Sequence, residues 1–101
     1  ELAANELMIA QDQLVVLGRR SAEERVAVFL LGLRKRFARI HHLSPTVPLP
    51  MSRQDIADYL GLTIETVSRT FSKLFREKVL LNVPDGVRIL ELDRLTALAQ
   101  R

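Results

Sequence analysis

One glycine, Gly61, does most to limit what this chain can fold into, because of what flanks it in Ser52–Phe75, SRQDIADYLGLTIETVSRTFSKLF. A chain leaving a helix commonly needs one residue at positive φ, and glycine tolerates that best. Upstream, Ser52 can cap a helix, with Asp55 three residues on to complete a capping box. Ile56, Ala57 and Leu60 then make an apolar stripe at helical spacing, and Ala57 is small where a second helix must approach. Downstream, Leu62 can plug the corner, Thr63 can cap the next helix, and Glu65 suits the positive end of its dipole. The window predicts two short helices joined by a tight Gly61-Leu62-Thr63 turn, with the second helix over residues 63–77. That pattern is a helix-turn-helix.

At about 100° per residue, the second helix separates into two faces. Val67, Thr70, Phe71 and Leu74 fall on the side that would pack on the domain, and Glu65, Ser68, Arg69, Ser72 and Arg76 face out. Such a face suits the major groove of DNA. An arginine forks onto guanine O6 and N7, a glutamate accepts from cytosine N4, and a serine reaches either kind of base edge. Glu65, Ser68 and Arg69 are therefore the candidate base readers. The plainer reading makes Glu65 and Arg69 an i,i+4 surface ion pair worth about 0.3–0.5 kcal/mol. Within a complete helix-turn-helix, base reading is the preferred expectation.

Length and charge bound the rest. With 101 residues, 48% of them hydrophobic, the chain is one domain or one domain plus an added element, with enough apolar surface for a core. A net charge of +3 suits an anionic partner. The absence of cysteine removes disulfides, thiolate metal sites and cysteine-bound iron–sulfur clusters from this segment. There is no signal peptide and no apolar run long enough to cross a bilayer, so the expected setting is cytoplasmic, with no membrane partner. The chain starts at Glu1 inside an apparent helix, and a fragment or processed product is expected.

Residues 2–17 read as a helix with heptad rows (Leu2, Ile9 and Val16; Leu7 and Leu14), which fits the end of a dimerising coiled coil. A core-facing amphipathic helix is the alternative. Gly18-Arg19-Arg20 breaks it. Ser21 and Glu24 form a second capping box, opening a helix over residues 22–41 with Ala22, Val26, Phe29, Leu30, Leu33, Phe37 and Ile40 as its stripe. Its late basic cluster, Arg34, Lys35, Arg36 and Arg39, reads as a solvated helix end in preference to a phosphate contact. Pro48 and Pro50 limit any strand in 46–51 to a short one at a sheet edge. Leu80–Val83 and Val87–Leu92 around Pro84-Asp85-Gly86 predict a β-hairpin, on which Arg88 is either a phosphate contact or an exposed cation without a partner. Asp93 is expected to cap a last helix running to Gln100, packed through Leu95 and Leu98. The expected fold is mainly α with a small β-hairpin: a winged helix-turn-helix over 19–101, preceded at 1–18 by the C-terminal part of a dimerisation helix.

Three stretches make the chain resemble the C-terminal half of regulators of the cyclic-AMP receptor and fumarate–nitrate reduction superfamily. They are Ser21-Ala22-Glu23-Glu24-Arg25-Val26-Ala27, Met51-Ser52-Arg53-Gln54-Asp55-Ile56-Ala57, and Leu60-Gly61-Leu62-Thr63-Ile64-Glu65-Thr66-Val67-Ser68-Arg69. The Glu-Thr-Val-Ser-Arg form of the last is typical of the fumarate–nitrate and FixK branch. Cyclic-AMP-receptor-like readers usually have glycine at the Ser68 position and arginine at Ile64. The resemblance implies a bacterial, homodimeric transcription activator that binds double-stranded DNA at a palindrome of TTGAT-like half-sites. It implies base reading by Glu65, Ser68 and Arg69, phosphate contacts from Ser52, Arg53, Thr63 and Thr66, and contact with RNA polymerase. Thr70 departs from the aliphatic residue common in relatives. No counterpart of the sensory β-barrel is present, so no cofactor is expected in this segment, and any effector would bind an N-terminal sensor domain.

Two rival readings come from other classes. A winged helix can serve protein contacts without DNA, although such a docking helix would more often expose apolar anchors than Glu65, Ser68 and Arg69. An enzyme or metal site on His41-His42 is disfavoured. Adjacent histidines point apart on a helix, and no nucleophile with a base, carboxylate cluster or glycine-rich loop accompanies them.

Overall fold

The computed structural model describes residues 21–40 and 44–100. The predicted dimerisation helix and domain boundary at 1–18, the break at Gly18-Arg19-Arg20, and His41 and His42 lie outside the described residues. Among the described residues, four helices accompany a small antiparallel sheet. In chain order they are α1 (Ala22–Ile40), β1 (Thr46–Pro48), α2 (Arg53–Leu60), α3 (Ile64–Arg76), β2 (Leu80–Val83), β3 (Gly86–Ile89) and α4 (Leu92–Ala99). This is the winged helix-turn-helix that the sequence predicts.

The capping box at the start of α1 forms as expected. Glu24 N donates to Ser21 Oγ at 3.2 Å, and Ser21 N donates to Glu24 Oε1 at 3.4 Å. Val26 and Leu30 of the predicted stripe are fully buried, and Phe29 and Leu33 pack against the core from its margin. Ala27, which the stripe omits, is also fully buried. The core continues through Ile56, Ala57 and Leu60 of α2, then Val67, Phe71 and Leu74 of α3. Strand residues Val47, Leu80, Val87 and Ile89 close it from one side and Leu95 of α4 from another.

The sheet has the order β1-β3-β2, with Val47 opposite Val87 and Leu80 opposite Ile89. β1 is short and at an edge, which its proline permits because no central ladder bond is lost. The wing differs from expectation in two details. Its second strand stops at Ile89, short of the expected Leu92. The turn is Pro84-Asp85, and Gly86 is already the first residue of β3. A Cβ on Gly86 would lie 2.1 Å from the Val47 carbonyl oxygen, so glycine is required for the close approach of β1 and not for a turn dihedral.

α4 corrects a further expectation. Leu90 N and Glu91 N both donate to the Val79 carbonyl, at 2.8 and 3.3 Å, and this anchor starts the helix at Leu92. Asp93 therefore lies inside the first turn, where its charge suits the dipole, and the Glu91 N-cap makes no side-chain hydrogen bond. Leu95 is buried and Leu98 packs against the core, as predicted.

Candidate nucleic-acid interface

The helix-turn-helix is built from local chemistry. Ser52 Oγ accepts from Asp55 N at 3.1 Å while Asp55 Oδ2 accepts from Ser52 N at 3.2 Å, completing the box on α2. Gly61 takes φ 69° and ψ 35°, the left-handed setting that makes glycine necessary. Its N–H and that of Leu62 both reach the Ala57 carbonyl. Thr63 then caps α3. Its Oγ1 accepts from Thr66 N at 3.1 Å and donates to Thr66 Oγ1 at 2.9 Å.

α3 presents the two predicted faces. Val67, Thr70, Phe71 and Leu74 are buried, whereas Glu65, Ser68, Arg69, Ser72 and Arg76 are exposed. The buried hydroxyl of Thr70 is satisfied, donating to the Thr66 carbonyl at 2.8 Å. Glu65 and Arg69 take part in none of the ion pairs among the described residues, so the surface-pair reading does not describe them. Both side chains are exposed, Glu65 in the first turn of the helix and Arg69 one turn further on.

Arg53 is the first residue of α2 and only half-buried. Its guanidinium lies over the Phe71 ring, 4.1 Å from the centroid. Burial pulls its pKa below the ordinary arginine value, with the charge retained. Ser52 and Thr63 are exposed at the N-termini of α2 and α3, and Thr66 is partly exposed in the first turn of α3. All four residues expected to touch phosphate thus lie at the cap or in the first turn of α2 or α3, where the dipoles favour anions.

Comparison with known proteins places this geometry. The family model described as bacterial regulatory proteins, crp family, matches residues 49–80, which hold both helices of the motif. The transcriptional activatory protein AadR of Rhodopseudomonas palustris is 64% identical over 99 residues, covering 98% of this chain and 41% of AadR. The nitrogen fixation regulation protein FixK of Bradyrhizobium diazoefficiens is 60% identical over 99 residues, covering 98% of this chain and 42% of FixK. The solved structure of FixK2 from Bradyrhizobium japonicum superimposes with a TM-score of 0.75 at 42% identity, covering 95% of this chain and 47% of that one. The chain belongs to the Crp/Fnr family. It sits on the FixK-like branch that the Glu-Thr-Val-Ser-Arg stretch indicates, and it spans about two fifths of the length of the curated relatives it matches.

Some of what surrounds α3 of this Crp/Fnr domain has no counterpart in the sequence analysis. Arg25 Nη1 donates to the carbonyls of Leu60 and Gly61, at 3.0 and 3.4 Å, and so ties α1 to the turn. Lys73 on α3 pairs with Glu23 on α1, and Glu77 pairs with Arg94 of α4 at 3.0 Å. These partners are separated by up to 50 residues, and no local pattern announces them. Between α1, α3 and α4 lies a cleft of about 790 Å³ whose charged lining is Arg69, Lys73, Arg76, Arg94, Glu23 and Glu77. Among the described residues no cluster of three or more His, Asp or Glu could hold a metal ion, and no helix is long and apolar enough to cross a membrane.

Proposed function

We propose that this domain binds DNA sequence-specifically and regulates transcription, reading a TTGAT-like half-site with Glu65, Ser68 and Arg69. The observation that carries the reading is the outer face of α3: three side chains with base-reading chemistry, exposed and without an ion-pair partner among the described residues. In this reading α3 enters the major groove by its N-terminal end. Arg69 forks onto guanine, Glu65 accepts from cytosine, and Ser68 contacts a neighbouring base edge. Ser52, Arg53, Thr63 and Thr66 hold the backbone and fix register without reading sequence. The names of AadR and FixK, an activatory protein and a nitrogen fixation regulator, support a role as a transcription activator, acting in the cytoplasm. The whole protein then acts as a homodimer on a palindrome, two reading helices entering grooves about 34 Å apart, and contacts RNA polymerase from the bound site. Any effector acts through a sensor outside these residues, and the domain itself performs no catalysis.

Fluorescence anisotropy on a TTGAT-N4-ATCAA duplex and a scrambled duplex, across a salt series, tests this. Tighter binding to the palindrome with steep salt dependence is the expected result. Equal affinity for both would remove the half-site assignment. No binding to either at low salt would replace DNA with a protein partner.

A further inference from the structure

Arg76 is the feature of α3 that base reading leaves unused. It follows Arg69 by seven residues, which places it about 10 Å further along the axis and about 20° off the same face. It is exposed, and it forms no ion pair among the described residues. The other cations of the cleft between α1, α3 and α4 differ. Lys73 is engaged by Glu23 and Glu77, and Arg94 by Glu77 and Glu91. The two carboxylates lining that cleft are therefore already matched, and its surplus positive charge resides on Arg69 and Arg76.

The cleft is continuous with the proposed DNA-contacting surface, because its lining includes Arg69 of the reading face and Thr66 of the phosphate contacts. The major groove is about 12 Å wide. With Arg69 at the base edges, a residue about 10 Å further along an outward-running helix stands at the groove rim, where the phosphates run. We propose that the cleft is a docking surface for the DNA backbone flanking the half-site, and that Arg76 contacts a phosphate there. The occupant is the same duplex that the reading helix enters, so this inference rests on the DNA-binding reading and extends its footprint outward. Charge complementarity and continuity with the reading face both favour it. As a backbone contact, Arg76 contributes affinity and salt sensitivity and carries no base preference.

The test compares the chain with Arg76→Gln and Arg76→Lys variants by anisotropy, on a palindrome with long flanks and on one trimmed to the half-site edges. On the flanked duplex, Arg76→Gln is expected to flatten the slope of log affinity against log salt by about 0.9 per bound chain. It should weaken cognate and scrambled flanked duplexes by the same factor. Arg76→Lys should keep the slope, and trimming should erase the difference between Arg76→Gln and the unsubstituted chain. An unchanged slope in Arg76→Gln on the flanked duplex, while the unsubstituted chain binds normally, overturns this proposal alone. A changed preference between palindrome and scrambled duplex overturns it as well, since Arg76 would then be reading bases. Absence of salt-dependent binding by the unsubstituted chain overturns the DNA-binding reading, and this proposal with it. A circular dichroism melt of each variant, expected to match the unsubstituted chain, separates these outcomes from misfolding.

Discussion

The guanidinium of Arg53 lies 4.1 Å above the centre of the Phe71 ring, joining the first residue of α2 to the buried face of α3. The ring holds a flexible cation at the helix N-terminus, so the proposed phosphate contact would cost it little further conformational freedom. Arg53→Ala should therefore weaken palindrome and scrambled duplex alike, and flatten the salt slope by about 0.9 per bound chain. Arg53→Lys should recover little, because an ammonium does not lie flat on a ring as a guanidinium does. Anisotropy across salt concentrations gives the answer, and a variant that altered base preference would move Arg53 among the base readers.

Arg69 should behave in the opposite way. Its replacement by alanine is expected to cost about 1–3 kcal/mol on the cognate duplex and much less on the scrambled one. Competition titrations with both duplexes measure the difference directly. Equal losses would make Arg69 a phosphate contact.

The end of α3 carries local strain. Lys78 adopts φ 61°, a left-handed setting that costs a residue with a Cβ about 1–2 kcal/mol. Around it, Val79 N donates to the Leu74 carbonyl at 3.0 Å and Lys78 N to the Phe75 carbonyl at 3.1 Å, a helix stop that usually employs glycine. Lys78→Gly should stabilise the domain by about 1 kcal/mol. The thermal midpoint should rise by several degrees while DNA affinity stays the same. A midpoint that fell would show the lysine side chain supplying more than the dihedral costs.

Gly86→Ala should do the reverse. The added methyl would sit 2.1 Å from the Val47 carbonyl oxygen and 2.9 Å from Leu49 N, both backbone atoms that no rotamer change can move. Either β1 leaves the sheet edge or β3 shifts, at a cost of about 1–3 kcal/mol. Hydrogen exchange should show protection lost in β1 while α2 and α3 keep theirs. Unchanged protection in β1 would mean that the strands separate without breaking their ladder.

What was legible in the sequence was what short-range chemistry determines. Both capping boxes, the positive φ of Gly61, the cap at Thr63 and the two faces of α3 each depend on residues within a turn or two of one another. Local pattern misplaces Asp93 as a cap because the start of α4 is fixed from a distance, by the Val79 carbonyl that receives Leu90 N and Glu91 N. Gly86 was read as a turn residue because a Pro-Asp-Gly run is normally one, and only the pairing of β1 with β3 reveals the crowding at its α-carbon. The resting place of the Arg53 guanidinium and the tie between Glu23 and Lys73 join separate elements, and periodicity within one element carries no trace of them.

Arg25 gives the helix-turn-helix a limit to its portability. The carbonyls of Leu60 and Gly61 at the corner between α2 and α3 are held by a side chain that belongs to neither helix. A graft of residues 52–76 onto another scaffold would carry every side chain proposed to read bases and leave behind the hand that steadies the corner. The smallest transplantable unit of this motif therefore includes the first turn of α1.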